Sequence, residues 1–264
     1  MRKLAIIGGT GVYSPKNVDS FLEKEIVTPY GNTVCKMGMI AGNQVIFITR
    51  HGLNHSTAPH KVNYRANIWA LKSLGTEEIF ATTAVGSINK NYLAGHFVVC
   101  DQIIDFTKSR INTFYDTPER GVVHVDFSKP YCPRLRDMVI NCLSKTDIPF
   151  HKEGCYVVTE GPRFESNAEI KMFAMLGGDV VGMTNMPEAV LAREAEMCYA
   201  NCSIVTNMAA GISETPLSHS EVVEAMAQSG KNMEALIEAI ITAKSSDVVC
   251  SCADSLSEYG GFKL

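Results

Sequence analysis

The sequence predicts an α/β fold, with a largely parallel or mixed central sheet and helices on both sides. Three observations carry that prediction. Short apolar runs of strand length alternate with segments of helical periodicity along the chain. The strand runs end at glycine-rich or polar corners, where open sheets of this kind gather ligand-binding groups. No linker, internal repeat or low-complexity tract breaks the alternation, so 1–264 reads as a single domain. With 264 residues, 46% of them apolar, the chain can bury a core of that size.

The first element is Leu4-Ala5-Ile6-Ile7, a buried-strand run broken by Gly8-Gly9-Thr10-Gly11. Residues 37–49 alternate and condense into Val45-Ile46-Phe47-Ile48, a second strand that ends at Arg50-His51. Residues 63–74 place Ile68, Leu71 and Leu74 at helical spacing, and Gly75 stops the helix. Residues 78–83 then read as a strand entering a turn over 84–87. A strand over 97–100, a helix over 133–144 and a strand over 155–159 continue the rhythm. Beyond a polar loop come a helix over 168–176 closed by Gly177-Gly178, a strand over 179–183, a helix over 187–199 and a strand over 202–206. The last long helix starts at Ser218 and runs toward Lys244.

A formal net charge of −4 with scattered Lys and Arg provides no basic stripe for a nucleic-acid backbone, so the expected ligand is small. Met1-Arg2-Lys3 runs directly into a short apolar strand, unlike a signal peptide or a membrane span, and a cytoplasmic protein without membrane contact is expected. The nine cysteines lack paired zinc-like spacing and suit a reducing compartment as small buried hydrophobes. Cys250-Ser251-Cys252 reads either as two free thiols on a mobile end or as a strained redox disulfide, and no role is assigned to it.

The corners after the strands carry the chemistry. Gly8 to Gly11 lets backbone N–H groups approach an anion while Thr10 adds a hydroxyl, although a plain tight turn or a dinucleotide loop reads the same residues. The glycines do not fit G-x-G-x-x-G, which weakens the dinucleotide reading, and a non-catalytic dinucleotide-binding regulator stays a remote alternative. Arg50 and His51 supply a cation and a second donor for phosphate oxygens, with a surface salt bridge as the alternative. Thr83, the Ala84 backbone and Thr184 would complete a ring of donors around the same ion. Glu165 accepts hydrogen bonds and Asn207 both gives and accepts, which complements the N1–H, N7 and O6 of a 6-oxopurine. Equally, Glu165 reads as the cap of the following helix and Asn207 as a turn residue.

At these corners the sequence resembles the trimeric purine nucleoside phosphorylase and methylthioadenosine phosphorylase family. The resemblance rests on Ile7-Gly8-Gly9-Thr10-Gly11, Thr28-Pro29-Tyr30-Gly31, Arg50-His51-Gly52, Lys61 to Asn67, Thr82 to Ser87, Glu160-Gly161-Pro162-Arg163-Phe164 and Gly182-Met183-Thr184, in that order along nearly the whole chain. It implies a nucleoside phosphorylase-like subunit with no metal or organic cofactor, and inorganic phosphate as co-substrate. Phosphate would be held by Thr10, Arg50, His51, Thr83, Ala84 and Thr184, with Met183 against the ribose and Ala209 among the substrate-binding residues. A homotrimer or homohexamer is also implied, a neighbouring subunit closing the 5′ end of the site.

Within the family the amino-terminal half looks like the methylthioadenosine branch, above all in Asn63 to Leu71. The later motifs depart from that branch. Glu165 stands where the branch has Ser, and Asn207-Met208-Ala209 stands where it has an Asp-x-Asp pair, as in the 6-oxopurine type. His219, after Leu217-Ser218, matches a histidine that hydrogen-bonds a ribose 5′-hydroxyl, and its alternative reading is a first-turn helix residue. The resemblance therefore implies phosphorolysis of inosine or guanosine, with Asn207 stabilising the departing purine. Cleavage of 5′-methylthioinosine or 5′-methylthioadenosine is the alternative.

Overall fold

The computed structural model describes residues 2–9, 21–52, 56–212, 219–244 and 246–264, without the side chains of 219–223, 226 and 228. Its centre is a mixed sheet of eleven strands: β1 (Lys3–Gly8), β2 (Leu22–Thr28), β3 (Gly31–Ile40), β4 (Asn43–Thr49), β5 (Glu78–Ser87), β6 (Phe97–Val99), β7 (Gln102–Phe106), β8 (Phe150–His151), β9 (Cys155–Thr159), β10 (Val180–Gly182) and β11 (Cys198–Met208). Among the described residues five helices cover it: α1 (Tyr64–Ser73), α2 (Pro133–Leu143), α3 (Asn167–Met175), α4 (Asn185–Glu194) and α5 (His219–Thr242).

β1 explains why its run is apolar without alternation. Leu4 and Ile6 enter one core layer with α2 residues Leu135 and Val139 and α5 residues Leu236 and Ile237. Ala5 and Ile7 enter the opposite layer with Ile68 and Leu71 of α1 and Ala189 of α4. Successive side chains of a strand point to opposite faces, so a strand roofed on both sides is hydrophobic at every position.

The sheet runs β2-β3-β4-β1-β5-β10-β9-β7, and β11 leaves this path by pairing with β5. β5 is the branch. Its first half lies parallel to β1, Leu4 facing Glu78 and Ile7 facing Ala81. Its second half outruns β1 and takes β10 antiparallel, Val181 facing Gly86. Along its other edge β11 follows in parallel from Cys198 to Met208. The turn expected over 84–87 is therefore absent: apolar Val85 and a Gly86 flanked on both edges continue the strand, because two neighbours supply ladder partners there.

Other departures have equally local causes. The hairpin β2 and β3 was not anticipated, since β2 is a sheet edge that buries only Ile26 and Thr28, and its Glu23-Lys24-Glu25 run and exposed Leu22 and Val27 hide the alternation. Ala41 and Gly42, both with positive φ at 48° and 78°, make the two-residue turn between β3 and β4. α4 begins its regular course at Pro187, after the extended Met186, but ends at Glu194 instead of reaching 199. Met197 to Tyr199 belong to the helix expected over 187–199, yet Cys198 already pairs with Glu78 in the sheet.

Candidate functional site

A cavity of about 430 Å³ opens where β4, β5, β9, β10 and β11 end or bend. Arg50, His51, Thr83, Ala84, Glu165, Met183, Thr184, Asn207 and Ala209 all line it. Thr10 lies outside the described residues, although Gly9 beside it lines the cavity. His219 opens α5, and its side chain lies outside the description.

Arg50 follows β4 and is 3% exposed. Its Nε and Nη2 donate to the two oxygens of Glu188 at 2.8 and 2.7 Å, and its Nη1 donates to the Thr82 carbonyl at 2.9 Å. Burial alone would make the guanidinium easier to deprotonate, but the Glu188 carboxylate more than offsets that and holds the charge. A guanidinium has five N–H donors, so two of those of Arg50 are without a partner among the described residues. The pairing is thus a buried bidentate one, not a surface salt bridge. Glu188, held also by Tyr199 Oη at 2.7 Å, is a member of this arrangement that sequence reasoning missed. Its place at the start of α4, facing a strand end, is visible only in three dimensions.

His51 Nδ1 lies 2.8 Å from the Thr57 carbonyl, which can only accept, so this nitrogen carries the proton. Gly9 packs close by: its N–H reaches Thr82 Oγ1 at 3.3 Å, and a Cβ there would come within 3.2 Å of Arg50 Nη1. Thr83 is engaged inward. Ser203 gives its proton to Asn201 at 2.7 Å, so Thr83 donates to Ser203 at 2.8 Å while Asn201 donates back to Thr83 at 3.2 Å. Buried Tyr156 has Thr83 and Thr184 beside its hydroxyl, though neither reaches hydrogen-bonding geometry.

The other part of the lining is built on an irregularity in β11. Val205 faces Val85 and Asn207 faces Gly86, so Thr206 is an extra residue in the strand. Thr206 Oγ1 donates to Asn207 Oδ1 at 2.8 Å, and Asn207 Nδ2 donates to the Met208 carbonyl at 2.9 Å. Those two bonds fix which end of the amide is oxygen and leave one N–H and one lone pair for a ligand. Gly86 lets the amide lie close to β5, since a Cβ there would come within 3.3 Å of Asn207 Nδ2 and press on it.

Glu165 accepts from Thr159 Oγ1 at 2.6 Å. Burial pushes its carboxyl above the ordinary value, and the Thr159 hydroxyl opposes the shift without cancelling it. It is not a helix cap: Ser166 caps α3, accepting from the Glu169 N–H, while Glu169 reaches back to the Ser166 N–H. Phe164, 40% exposed, also lines the cavity and adds aromatic surface to it, a residue the sequence reading did not assign.

A second missed residue is Arg110, in the segment after β7. Its Nη1 donates to the carbonyls of Met183 and Met186 at 2.7 and 2.6 Å, and its Nη2 to those of Thr159 and Glu160 at 3.1 and 2.8 Å. One buried guanidinium therefore ties the corner after β9 to the corner after β10. No sequence spacing signals this, because all four acceptors are backbone.

β5 sets the length of the arrangement. Arg50 and Gly9 sit at Thr82 and Asn207 sits at Gly86, four residues apart or roughly 13 Å along an extended strand. A cation with open donors near one position and an oriented amide and a carboxylate farther along define an α/β pocket protein for a ligand joining an anion to a flat polar ring.

The chain belongs to the phosphorylase superfamily, which it matches over residues 3–242. It is 51% identical to the 6-oxopurine nucleoside phosphorylase of Pyrococcus furiosus, over 99% of this chain and 100% of that one. It is 44% identical to the S-methyl-5'-thioadenosine phosphorylase of Thermofilum pendens, over 97% of each. Among solved structures it resembles a methylthioadenosine phosphorylase from Schistosoma mansoni in complex with adenine, with TM-score 0.87 at 32% identity over 91% of each chain.

Proposed function

We propose that this chain phosphorolyses 6-oxopurine nucleosides, inosine and guanosine, to the free base and ribose 1-phosphate, in purine salvage. The observation that carries the proposal is the Asn207 amide. Thr206 and Met208 hold it so that Nδ2 keeps one N–H, in the same cavity as Glu165 and Arg50. As the bond from the sugar to N9 breaks, its electron pair spreads over the purine toward N7 and O6. A fixed neutral donor meets that charge without having to reorient. Inorganic phosphate, the co-substrate, closes on the sugar carbon from the side of Gly9, Arg50 and His51, with Thr10, Thr83, Ala84 and Thr184 around it. The protein supplies position and electrostatics, with no cofactor and no covalent nucleophile. Glu165 accepts from N1–H and selects the base, Met183 and Ala209 pack against sugar and base, and His219 meets the 5′-hydroxyl. The chain works as a homotrimer or homohexamer in the cytoplasm. No helix among the described residues is long and apolar enough to cross a membrane.

The 44% identity to a thioadenosine phosphorylase favours a second reading, cleavage of 5′-methylthio nucleosides. Initial rates with inosine, guanosine, adenosine, 5′-methylthioinosine and 5′-methylthioadenosine in phosphate separate the two. Inosine or guanosine is expected to have the highest kcat/KM. Faster cleavage of 5′-methylthioadenosine than of inosine would overturn the base assignment.

A further inference from the structure

Away from the cavity, four cysteines that lie far apart in the sequence meet. The Sγ atoms of Cys132, Cys198, Cys250 and Cys252 all lie within 4.8 Å of one another. Cys132 precedes α2, Cys198 opens β11, and Cys250 and Cys252 belong to the C-terminal segment. Three of the four are buried and Cys250 is half-buried. None lines the cavity that holds Arg50 and Asn207.

We propose that these four cysteines form a closed tetrathiolate site for one structural Zn2+ ion, which fastens the C-terminal segment to α2 and β11. Three independent features support it. The Cys198 and Cys250 sulfurs stand 3.6 Å apart, close to the edge of about 3.8 Å expected for a tetrahedron with Zn–S bonds near 2.3 Å. Arg134 turns its guanidinium to the cluster, Nη2 donating to Cys198 Sγ at 3.2 Å while Nη1 binds Glu78 at 2.7 Å. A cation aimed at sulfur suits a thiolate, and it offsets part of the double negative charge that four thiolates leave around a dication. Finally, Cys132 Sγ is the N-cap acceptor of α2, taking the Leu135 N–H at 3.5 Å, and a helix N-terminus favours the ionised sulfur.

On binding, the four thiols give up their protons to solvent as four metal–sulfur bonds form, and no oxidant or reductant takes part. An all-sulfur tetrahedron selects a soft divalent ion, and four protein ligands leave no open position for catalysis. The mechanical effect reaches beyond the site. The segment that starts at Cys250 continues to Phe262, whose ring stacks edge-on to Trp69 of α1 at 5.4 Å. The N–H groups of Leu256 and Phe262 both bind the Glu196 carboxylate, just before β11. The sequence alone hid this site, because only the Cys-x-Cys pair is local.

The full chain, purified under reducing conditions with zinc in the medium and then desalted, is assayed for metal by mass spectrometry. About one zinc per chain is expected, with exchange into cobalt giving the intense visible absorption of a tetrahedral thiolate complex. Cys250→Ser with Cys252→Ser should lose the metal and the cobalt spectrum, and Cys250→Ser alone should weaken both. Cys142→Ser, outside the cluster, should retain both and serves as the folding control. The proposal is overturned if the reduced wild-type chain takes up neither zinc nor cobalt, if the double variant binds metal as wild type does, or if the chain isolated under reductant carries these cysteines as disulfides.

Discussion

Replacing Glu188 by alanine removes the carboxylate that orients Arg50 at two of its nitrogens. The side chains of Arg50 and Glu188 are 0% and 1% exposed, so the remaining guanidinium is a buried charge stripped of its counter-ion. Breaking a buried pair by deleting one partner costs about 3–5 kcal/mol. Tyr199 Oη donates to the same carboxylate, and leaving that buried hydroxyl without an acceptor adds about 1–3 kcal/mol. A loss of this size lowers the melting temperature by roughly 10 °C or more in a domain of this length. It also frees Arg50 to turn, so the KM for phosphate should rise more than the KM for inosine. Phosphate can itself replace the missing negative charge, and it should therefore stabilise the variant more than the wild type. Urea unfolding with and without phosphate, beside initial rates at varied phosphate, measures all three effects. If Glu188→Ala does not fold, Glu188→Gln retains an acceptor and should show the same pattern at smaller amplitude. A variant that unfolds within about 0.5 kcal/mol of wild type would refute the buried-pair reasoning. Equal stabilisation of both proteins by phosphate would refute the claim that Arg50 faces the anion.

Three further outcomes are expected. Asn207→Ala should lower kcat for inosine by about 10²–10³, as removal of one preorganised donor does, with little change in KM; a raised KM at unchanged kcat would move Asn207 from charge stabilisation to binding. For Glu165 the sign follows from its chemistry: the ionised form accepts N1–H, and burial raises its pKa, so binding is complete above that raised value and is lost as pH falls through it. The acid limb of kcat/KM for inosine should accordingly lie above the ordinary glutamate range and vanish in Glu165→Gln, and a limb that persists in the variant would exclude Glu165 as its source. Arg110→Lys replaces a fork bound to four carbonyls by a single nitrogen, and it should lower kcat/KM by about 10- to 100-fold through misplacement; unchanged kinetics with a lowered melting temperature would leave Arg110 a purely structural tie.

The strand cores and the loops that follow them were legible because a strand buried on both faces is apolar at every position, as Ile6 and Ile7 illustrate. The corners after β4, β9 and β10 carried polar groups that the fold does bring to one cavity. What stayed hidden depends on partners remote in the sequence. Gly86 reads as a turn until β10 and β11 are placed on either side of it. β2 carries an edge-strand pattern that resembles a loop, and Met197 to Tyr199 suit helix or strand until β5 decides. Glu188 and Arg110 act through a buried pair and through carbonyl groups, neither of which leaves a local motif.

The extra residue at Thr206 has a consequence for how such a pocket changes over time. Alternation along β11 is counted in twos, and one added position inverts the count for everything downstream, Asn207 included. Loss of Thr206 would close the ladder with Asn207 still opposite Gly86 but without the hydroxyl that bonds its amide oxygen, so recognition in this scaffold is tied to an inserted residue as well as to a side chain.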